Sequence, residues 1–284
     1  MRWPSYITIL TGMLLVAAGC DTPPDAGAAP VWGQVKIGQL GPPSPDPSRR
    51  AKVLGTVYFE VYAFDLPADN LDKLGAVWHS LSAKPIRTNS YTAFAENGFR
   101  ARYGRLRIWK DVEAMLVKAG GRGAGTTSLT LSEDMPADLP IADVPQGLRI
   151  SFVGTDLSHQ IANVGPGVLV LRLRAEPVPG ARGVRKMIAY PVHTLPSSLA
   201  IPELDSAARQ REFYFGAAAF ASQMSPGDFL MLAPNTYTGE CRSLGGLFFN
   251  KPVGTVFLDP EQRRPPERKP TVRLFVLICT RMTD

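Results

Sequence analysis

The side chains able to carry acid–base or metal chemistry are few and scattered in this chain. The three histidines, His79, His159 and His193, are not at metal-ligand spacing with one another or with a cysteine. The sequence also lacks the Gly-x-Ser-x-Gly motif of an α/β-hydrolase nucleophile. We therefore predict no metal site and no cofactor, and we expect the protein not to be an enzyme.

Two other clusters invite a chemical interpretation. The run Gly120–Gly125 has the composition of a phosphate-binding loop, but it follows a predicted helix, whereas such loops precede one. The acidic residues Glu133 and Asp134 are adjacent in a connector, and adjacency alone does not create the geometry of a glycosidase. Both clusters are interpreted as loops. An enzyme whose acids and bases converge only on folding stays an alternative.

The N-terminus carries the most specific signal. Arg2 precedes an apolar stretch from Ile7 to Ala18, which is too short to cross a bilayer but has the length of a signal-peptide core. It ends in the run Leu15–Cys20, which resembles the lipobox of bacterial lipoprotein precursors. The resemblance implies cleavage before Cys20, acylation of its thiol and amine with fatty acids such as palmitate, and anchoring to a membrane. The alternative is an ordinary secretory signal peptide in which Cys20 is incidental.

The lipobox resemblance predicts how the first fifty residues are organised. Residues 1–19 form a lipoprotein signal peptide, and residues 20–50, which contain seven prolines between positions 23 and 47, form a Pro-rich tether. The folded part is expected outside the cytoplasm, in a bacterial cell envelope. Asp21 resembles an inner-membrane retention signal of some enteric bacteria, but the sequence leaves inner or outer membrane open.

Two cysteines remain if Cys20 is acylated. An even number of cysteines in an oxidising compartment favours a disulfide between Cys241 and Cys279. The alternative is a pair of buried free thiols.

Composition and charge narrow the class of partner. Hydrophobic residues make up 45% and charged residues 20% of the 284 residues, which is typical of a folded protein. The net charge is +6, and arginines at spacings of two, such as Arg100 with Arg102 and Arg172 with Arg174, fit exposed strand faces. We expect no nucleic-acid partner outside the cytoplasm, whereas attraction to anionic lipid or a cell-wall polymer is compatible with this charge.

The fold class predicted is α+β, in two units. Residues 51–134 predict a split β-α-β-β-α-β unit, in which Asn97-Gly98 is the turn of a hairpin. Its predicted elements are strands at 53–64, 90–95, 99–103 and 126–131 and helices at about 70–81 and 106–119. Gly120-Gly121 is predicted to end the second helix. Residues 146–284 predict a mainly antiparallel β unit, with strands at 148–153, 168–175, 184–191, 212–220, 229–233 and 272–280.

The C-terminal part offers a second resemblance. The segments Gly227–Leu232, Leu244–Phe248 and Arg273–Arg281 are similar, in order, to the last strands and turn of a secretin homology domain. The resemblance covers about 210–282. Cys279-Thr280 replaces the Thr-Pro of that family, and the segment before the last strand is long and basic. The resemblance implies an envelope protein that oligomerises, not a channel.

These observations predict a lipid-anchored envelope protein with a non-enzymatic structural or assembly role. Its expected partners are the membrane, through the lipid anchor, and envelope proteins or further copies of itself. The apolar triplet Leu247, Phe248 and Phe249 is the candidate interaction site, with burial in the same chain as the alternative. A second hypothesis is a lipid-anchored binding module for a cell-wall polymer or small ligand.

Overall fold

The structure is a computed structural model, and it describes residues 55–132, 135–195, 212–258 and 266–283. Residues Val53–Asp284 form one compact unit. The predicted signal peptide, the predicted acylation site Cys20 and the predicted tether at 20–50 lie outside the described residues.

The described elements are mostly strands. The helices are α1 (Gly75–Ser80), α2 (Tyr91–Glu96), α3 (Trp109–Lys118) and α4 (Leu244–Phe249), with 3-10 turns at Ala68–Leu74, Leu106–Ile108 and Gly216–Ala218. The strands are β1 (Thr56–Pro67), β2 (Arg87–Thr88), β3 (Phe99–Arg105), β4 (Arg122–Ser132), β5 (Ala137–Val144), β6 (Leu148–Val153), β7 (His159–Val164), β8 (Gly167–Pro177), β9 (Arg185–Thr194), β10 (Phe213–Tyr214), β11 (Phe220–Met224), β12 (Asp228–Pro234), β13 (Asn250–Phe257) and β14 (Glu267–Thr283).

The strands form two large antiparallel sheets and one hairpin. Sheet A has the order β3-β12-β14-β1-β4, with β13 also pairing with β14. Sheet B has the order β2-β11-β9-β8-β5, with β10 also pairing with β9. Strands β6 and β7 form a separate hairpin. The predicted α+β class with mostly antiparallel sheets is therefore confirmed.

Strand β14 explains how the layers are arranged, because both of its faces are buried. Leu274, Val276 and Ile278 belong to a core beneath α1 and α3, whereas Phe275 and Leu277 belong to a core shared with sheet B. Helices α1 and α3, sheet A and sheet B are thus stacked in three layers. A strand buried on both faces needs apolar residues at successive positions, which accounts for the continuous run in its sequence.

The indole ring of Trp109 packs the outer helical layer against sheet A. Trp109 begins α3 and is buried, and its ring lies 5.6 Å from the ring of Phe229 on β12 and 5.6 Å from that of Tyr62 on β1. The helix ends at Gly120, whose φ of +88° is the left-handed conformation that glycine adopts without a Cβ penalty. Gly121 N–H then donates to the Leu116 carbonyl at 2.8 Å, so the glycine pair closes the helix as predicted.

The split β-α-β-β-α-β order is not the order observed. The predicted strand at 90–95 is helix α2, because Ser90 caps it by accepting a hydrogen bond from Ala93 N–H at 3.2 Å. Asn97-Gly98 is consequently not a hairpin turn, and Gly98, with φ +83°, connects α2 to β3. The left-handed conformation that favours Gly in a hairpin also suits the residue after a helix.

The predicted boundary between 51–134 and 146–284 does not separate two folding units. Sheet A places the late strands β12 and β14 between the early strands β3 and β1. Strand β1 pairs with β14 along its whole length, from Thr56 opposite Thr283 to Pro67 opposite Thr271. The first and last described strands thus share one hydrogen-bonded ladder, so neither segment contains a complete sheet A.

Candidate functional site

The predicted disulfide is absent, and both cysteines are free thiols. Cys279 lies on β14 and is fully buried, whereas Cys241 is exposed in the loop before α4. Burial raises the pKa of Cys279 to about 12, and the nearby Asp228 carboxylate acts in the same direction. The Cys279 thiol is therefore protonated at neutral pH and protected from solvent, so the two residues differ in reactivity.

The apolar triplet proposed as an interaction site is part of the core. Phe248 and Phe249 are 2% and 1% exposed, and Leu247 is partly buried against the same cluster. The Phe248 ring lies 4.9 Å from that of Phe99 and 5.8 Å from that of Phe275. The prediction of an exposed contact surface was wrong, because α4 turns these rings between the two sheets.

Helix α4 is held close to the end of α2 by glycines. A Cβ on Gly245 would collide with the Asn97 carbonyl oxygen, and one on Gly246 would collide with that of Glu240. The Asn97 side chain is buried and donates to the Val153 carbonyl at 2.7 Å while accepting from Val153 N–H at 2.9 Å. The Asn97-Gly98 and Gly245-Gly246 pairs therefore form one junction between α2, α4 and the β6–β7 hairpin.

A polar cleft of about 200 Å³ lies beside this junction. Its lining combines acids, hydroxyls and one histidine: Glu96, Ser151, His159, Thr236, Thr238, Glu240 and Ser243. Small-molecule sites usually measure about 300–1,000 Å³, so the cleft has room for a small polar group only. Among the described residues, no three His, Cys, Asp or Glu side chains are grouped so that they could hold a metal ion.

The remaining histidines have structural surroundings. His79 is on α1, where Nδ1 lies 2.6 Å from the Gly75 carbonyl oxygen. His193 is 2% exposed on β9, and its Nε2 has no hydrogen-bond partner in the described part of the chain. Burial lowers the pKa of His193, while a backbone hydrogen bond with Gly165 acts in the opposite direction.

The outer face of sheet B carries a charged cluster centred on Arg172. Arg172 Nε and Nη2 donate to the two Asp138 carboxylate oxygens at 2.7 and 2.8 Å, and Nη1 donates to Glu212 at 2.6 Å. The Tyr214 hydroxyl also donates to Glu212 at 2.6 Å. Hydrogen bonds to two carboxylates raise the pKa of Arg172 above its ordinary value. The cluster joins β5, β8 and β10, and because it is internally paired we assign it a structural role.

The arginines of β3, which were predicted to be exposed, also make contacts within the fold. The Arg100 guanidinium lies 4.4 Å from the centre of the Trp78 ring, a cation–π contact that covers the α1 side of sheet A. Burial lowers the pKa of Arg100, and Arg102 adds a repulsive contribution.

A second cleft, of about 500 Å³, lies between the loop before β2 and strand β11. Lys84 and Arg87 line it together with Lys186, whose Nζ is paired with Glu176 at 3.1 Å. The Tyr91 ring beside them is 66% exposed, and its hydroxyl donates to the Ile86 carbonyl at 2.9 Å. Cations beside an exposed aromatic ring suit an extended acidic polymer better than a small apolar ligand.

Strand β4 is an exposed sheet edge that the sequence-based search for a site missed. It lies at one end of sheet A, pairs with β1 on one side, and no other described strand pairs with its outer side. Residues 122–128 are all exposed, and the ten residues Gly123–Ser132 carry no charge. An edge of this length offers backbone N–H and C=O groups to an added strand.

The other edges of the two sheets carry features that oppose pairing. Strand β3 has three arginines in seven residues. Strand β5 has Pro140 at a register shift and two aspartates, and β13 has Lys251, Pro252 and a register shift. Charges, prolines and bulges are the usual means by which natural sheets block edge-to-edge association. On β4 the charge is confined to Arg122 and the register shift to Gly123–Gly125, so Thr126–Ser132 have none of these features. This uncharged run was the sequence signal that could have identified the edge.

Comparison with known proteins yields no match to a family, a curated protein or a solved structure. In the described part of the chain, no helix has the length and apolar character needed to span a membrane.

Proposed function

We propose that this protein is a lipid-anchored, extracytoplasmic component of a bacterial cell envelope, with a non-enzymatic structural or assembly role. The observation that carries the proposal is the run Leu15–Cys20, in which an apolar signal-type segment ends in small residues and a cysteine. The Pro-rich segment that follows has the composition of a spacer between a membrane surface and a folded unit.

The fold supports an assembly role through the edge strand β4. An assembly subunit needs a surface at which another protein adds without displacing the core. Strand β4 provides one, because its outer side is unpaired by any described strand and its residues 122–128 are exposed.

A relationship to secretins is part of the same proposal. The three segments similar to the end of a secretin homology domain correspond to β12, α4 and β14, of which β12 and β14 are neighbours in sheet A. We propose a structural relative that assembles in the envelope; the resemblance does not extend to the formation of a channel.

The anchor is tested by replacing single cysteines. Cys20→Ser should leave an uncleaved precursor or release the protein from washed membranes, because the thiol is the attachment point of the lipid. Cys241→Ser is the matched control, since Cys241 is exposed and its replacement should leave the anchor intact. If Cys20→Ser still has mature size and remains with membranes after a high-salt wash, the lipoprotein proposal is wrong.

The assembly role is tested on envelopes solubilised in detergent. The mature protein should elute at a mass above that of one chain in its micelle. Recovery as a single chain without protein partners would contradict this role.

The second candidate function is a lipid-anchored binding module for an acidic cell-wall polymer, favoured by the cleft at Lys84, Arg87 and Lys186. Sedimentation with purified cell-wall polymer should then weaken in the double variant Lys84→Gln/Arg87→Gln and at high salt. The double variant Lys73→Gln/Lys118→Gln is the matched control, because both lysines lie on the helical side of the molecule. Equal sedimentation of all three proteins would exclude this candidate.

A further inference from the structure

We propose that the outer side of β4 pairs antiparallel with the same strand of a second copy of this chain, joining two copies of sheet A about a twofold axis. The inference rests on the proposed assembly role and names its partner. It starts from Thr126–Ser132 of β4, which lack the charges, prolines and register shifts found on the other sheet edges.

The side chains of β4 suit pairing with themselves. The middle of the strand is Thr126, Thr127, Ser128, Leu129 and Thr130, which are uncharged and rich in β-branched residues. In a twofold antiparallel arrangement these residues face one another across the new ladder. Thr–Thr and Thr–Ser pairs across antiparallel strands are favourable, and no like charges meet.

The charge at the start of the strand favours the antiparallel direction. Arg122 is the first residue of β4, it is exposed, and its Nη1 donates to the Val256 carbonyl at 3.1 Å. Parallel pairing in register would place Arg122 of the two copies side by side. Antiparallel pairing places the two arginines at opposite ends of the new ladder, which avoids this repulsion.

The symmetry also limits the size of the assembly. A twofold contact uses the same surface on both copies and therefore closes at two chains. The opposite edge of sheet A, β3, carries Arg100, Arg102 and Arg105, so the joined sheet does not extend further at that side.

The first test compares the mass of wild type and two variants of Ser128 as full mature lipoproteins in detergent, by light scattering during gel filtration. Wild type and Ser128→Thr should be dimers. Ser128→Lys should be a monomer with an unchanged circular dichroism spectrum, because the new charge is repelled across the twofold axis. Within one chain, Ser128 lies opposite Glu60 of β1, which offsets the lysine charge. A wild-type monomer at high micromolar concentration, or a dimeric Ser128→Lys, overturns the proposal.

The second test maps the register by single cysteines at positions 126–130 in a Cys241→Ser background, followed by oxidation. Antiparallel pairing predicts that cross-linking peaks at one position and decreases toward both ends, because a residue faces its own copy only at the axis. Val253→Cys on β13, where the valine is 67% exposed, is the control and should remain uncross-linked. A uniform profile, or no more cross-linking than at position 253, overturns the proposal.

The two proposals fail in different ways. If wild type contains one copy but retains other envelope proteins that Ser128→Lys loses, the second-copy proposal is wrong and the assembly role stands. If Cys20→Ser stays on membranes at mature size while the dimer forms through β4, the anchor is wrong and the pairing stands.

Discussion

Replacing Phe248 with Ala should destabilise the whole fold, although the residue lies in an apolar triplet that the sequence offered as a contact site. Its side chain is 2% exposed, and its ring lies 4.9, 4.8 and 5.8 Å from those of Phe99, Phe249 and Phe275. Phe→Ala in such a core costs about 3–5 kcal/mol, from lost burial and the cavity left behind. For a domain of this size, that corresponds to a melting temperature lower by about 6–20 °C.

A conservative variant separates burial from ring contacts. Phe248→Leu retains most of the apolar volume but loses the edge-to-face contacts, which are each worth about 0.5–1.5 kcal/mol. We expect it to be destabilised by about 1–2 kcal/mol, between wild type and Phe248→Ala. Val253→Ala is the control on the neighbouring strand, because Val253 is 67% exposed. Its free energy of unfolding should remain within about 0.5 kcal/mol of wild type.

The assay is urea unfolding followed by circular dichroism, with thermal melting as a second measurement. All variants should share the wild-type slope against urea, so the change appears in the midpoint. The reasoning is refuted if the free energy of unfolding of Phe248→Ala lies within about 0.5 kcal/mol of wild type, the range of surface substitutions, and only the size of an assembly changes. That result would place Phe248 on an exposed surface, as first expected.

Three further predictions follow from the site. In the native protein a thiol reagent should modify Cys241 rapidly and Cys279 only after unfolding, because burial raises the pKa of Cys279 to about 12. If the unfolded, unreduced protein has no reactive thiol, the two cysteines form a disulfide and the prediction is wrong. Burial lowers the pKa of His193 in the folded state, so its contribution to stability is complete above the unfolded pKa of about 6.5 and is lost as pH falls below it. The melting temperature of His193→Gln should therefore decrease less between pH 7 and pH 5 than that of wild type. Arg172→Leu should lower the free energy of unfolding, measured with urea, by about 2–4 kcal/mol. This is less than for a fully buried ion pair, because Asp138 is 36% exposed.

The prediction for Arg172 has a matched control in the chain. Arg174→Leu should have little effect, because its side chain is 56% exposed and its contact with Glu176 is long, at 3.8 Å. If Arg174→Leu is as destabilising as Arg172→Leu, the paired carboxylates are not the cause of the loss.

Local sequence patterns determined much of the secondary structure. The strand predicted at 148–153 is β6, and those predicted at 168–175 and 229–233 lie within β8 and β12. The glycine pair after α3 was predicted to end that helix, and it does so. These features depend on a few neighbouring residues, whose alternation and backbone preferences are visible in the sequence.

Contacts between distant residues decided the rest. The Asn97-Gly98 pair suits a hairpin as well as the end of a helix, and Ser90, with Phe94 packed against Phe99 and Phe220, selects the helix. Cysteine count alone could not place Cys241 at the surface and Cys279 in the core.

The sequence by itself determined the α+β composition and most strand positions, and it predicts the lipobox at Cys20, because each is encoded over a short run of residues. Only the tertiary structure decided that β14 lies between β1 and β12, that Phe248 is buried and that β4 is left at an edge. Strand order is set by which apolar faces bury together across more than two hundred residues, and this is a property of the whole chain.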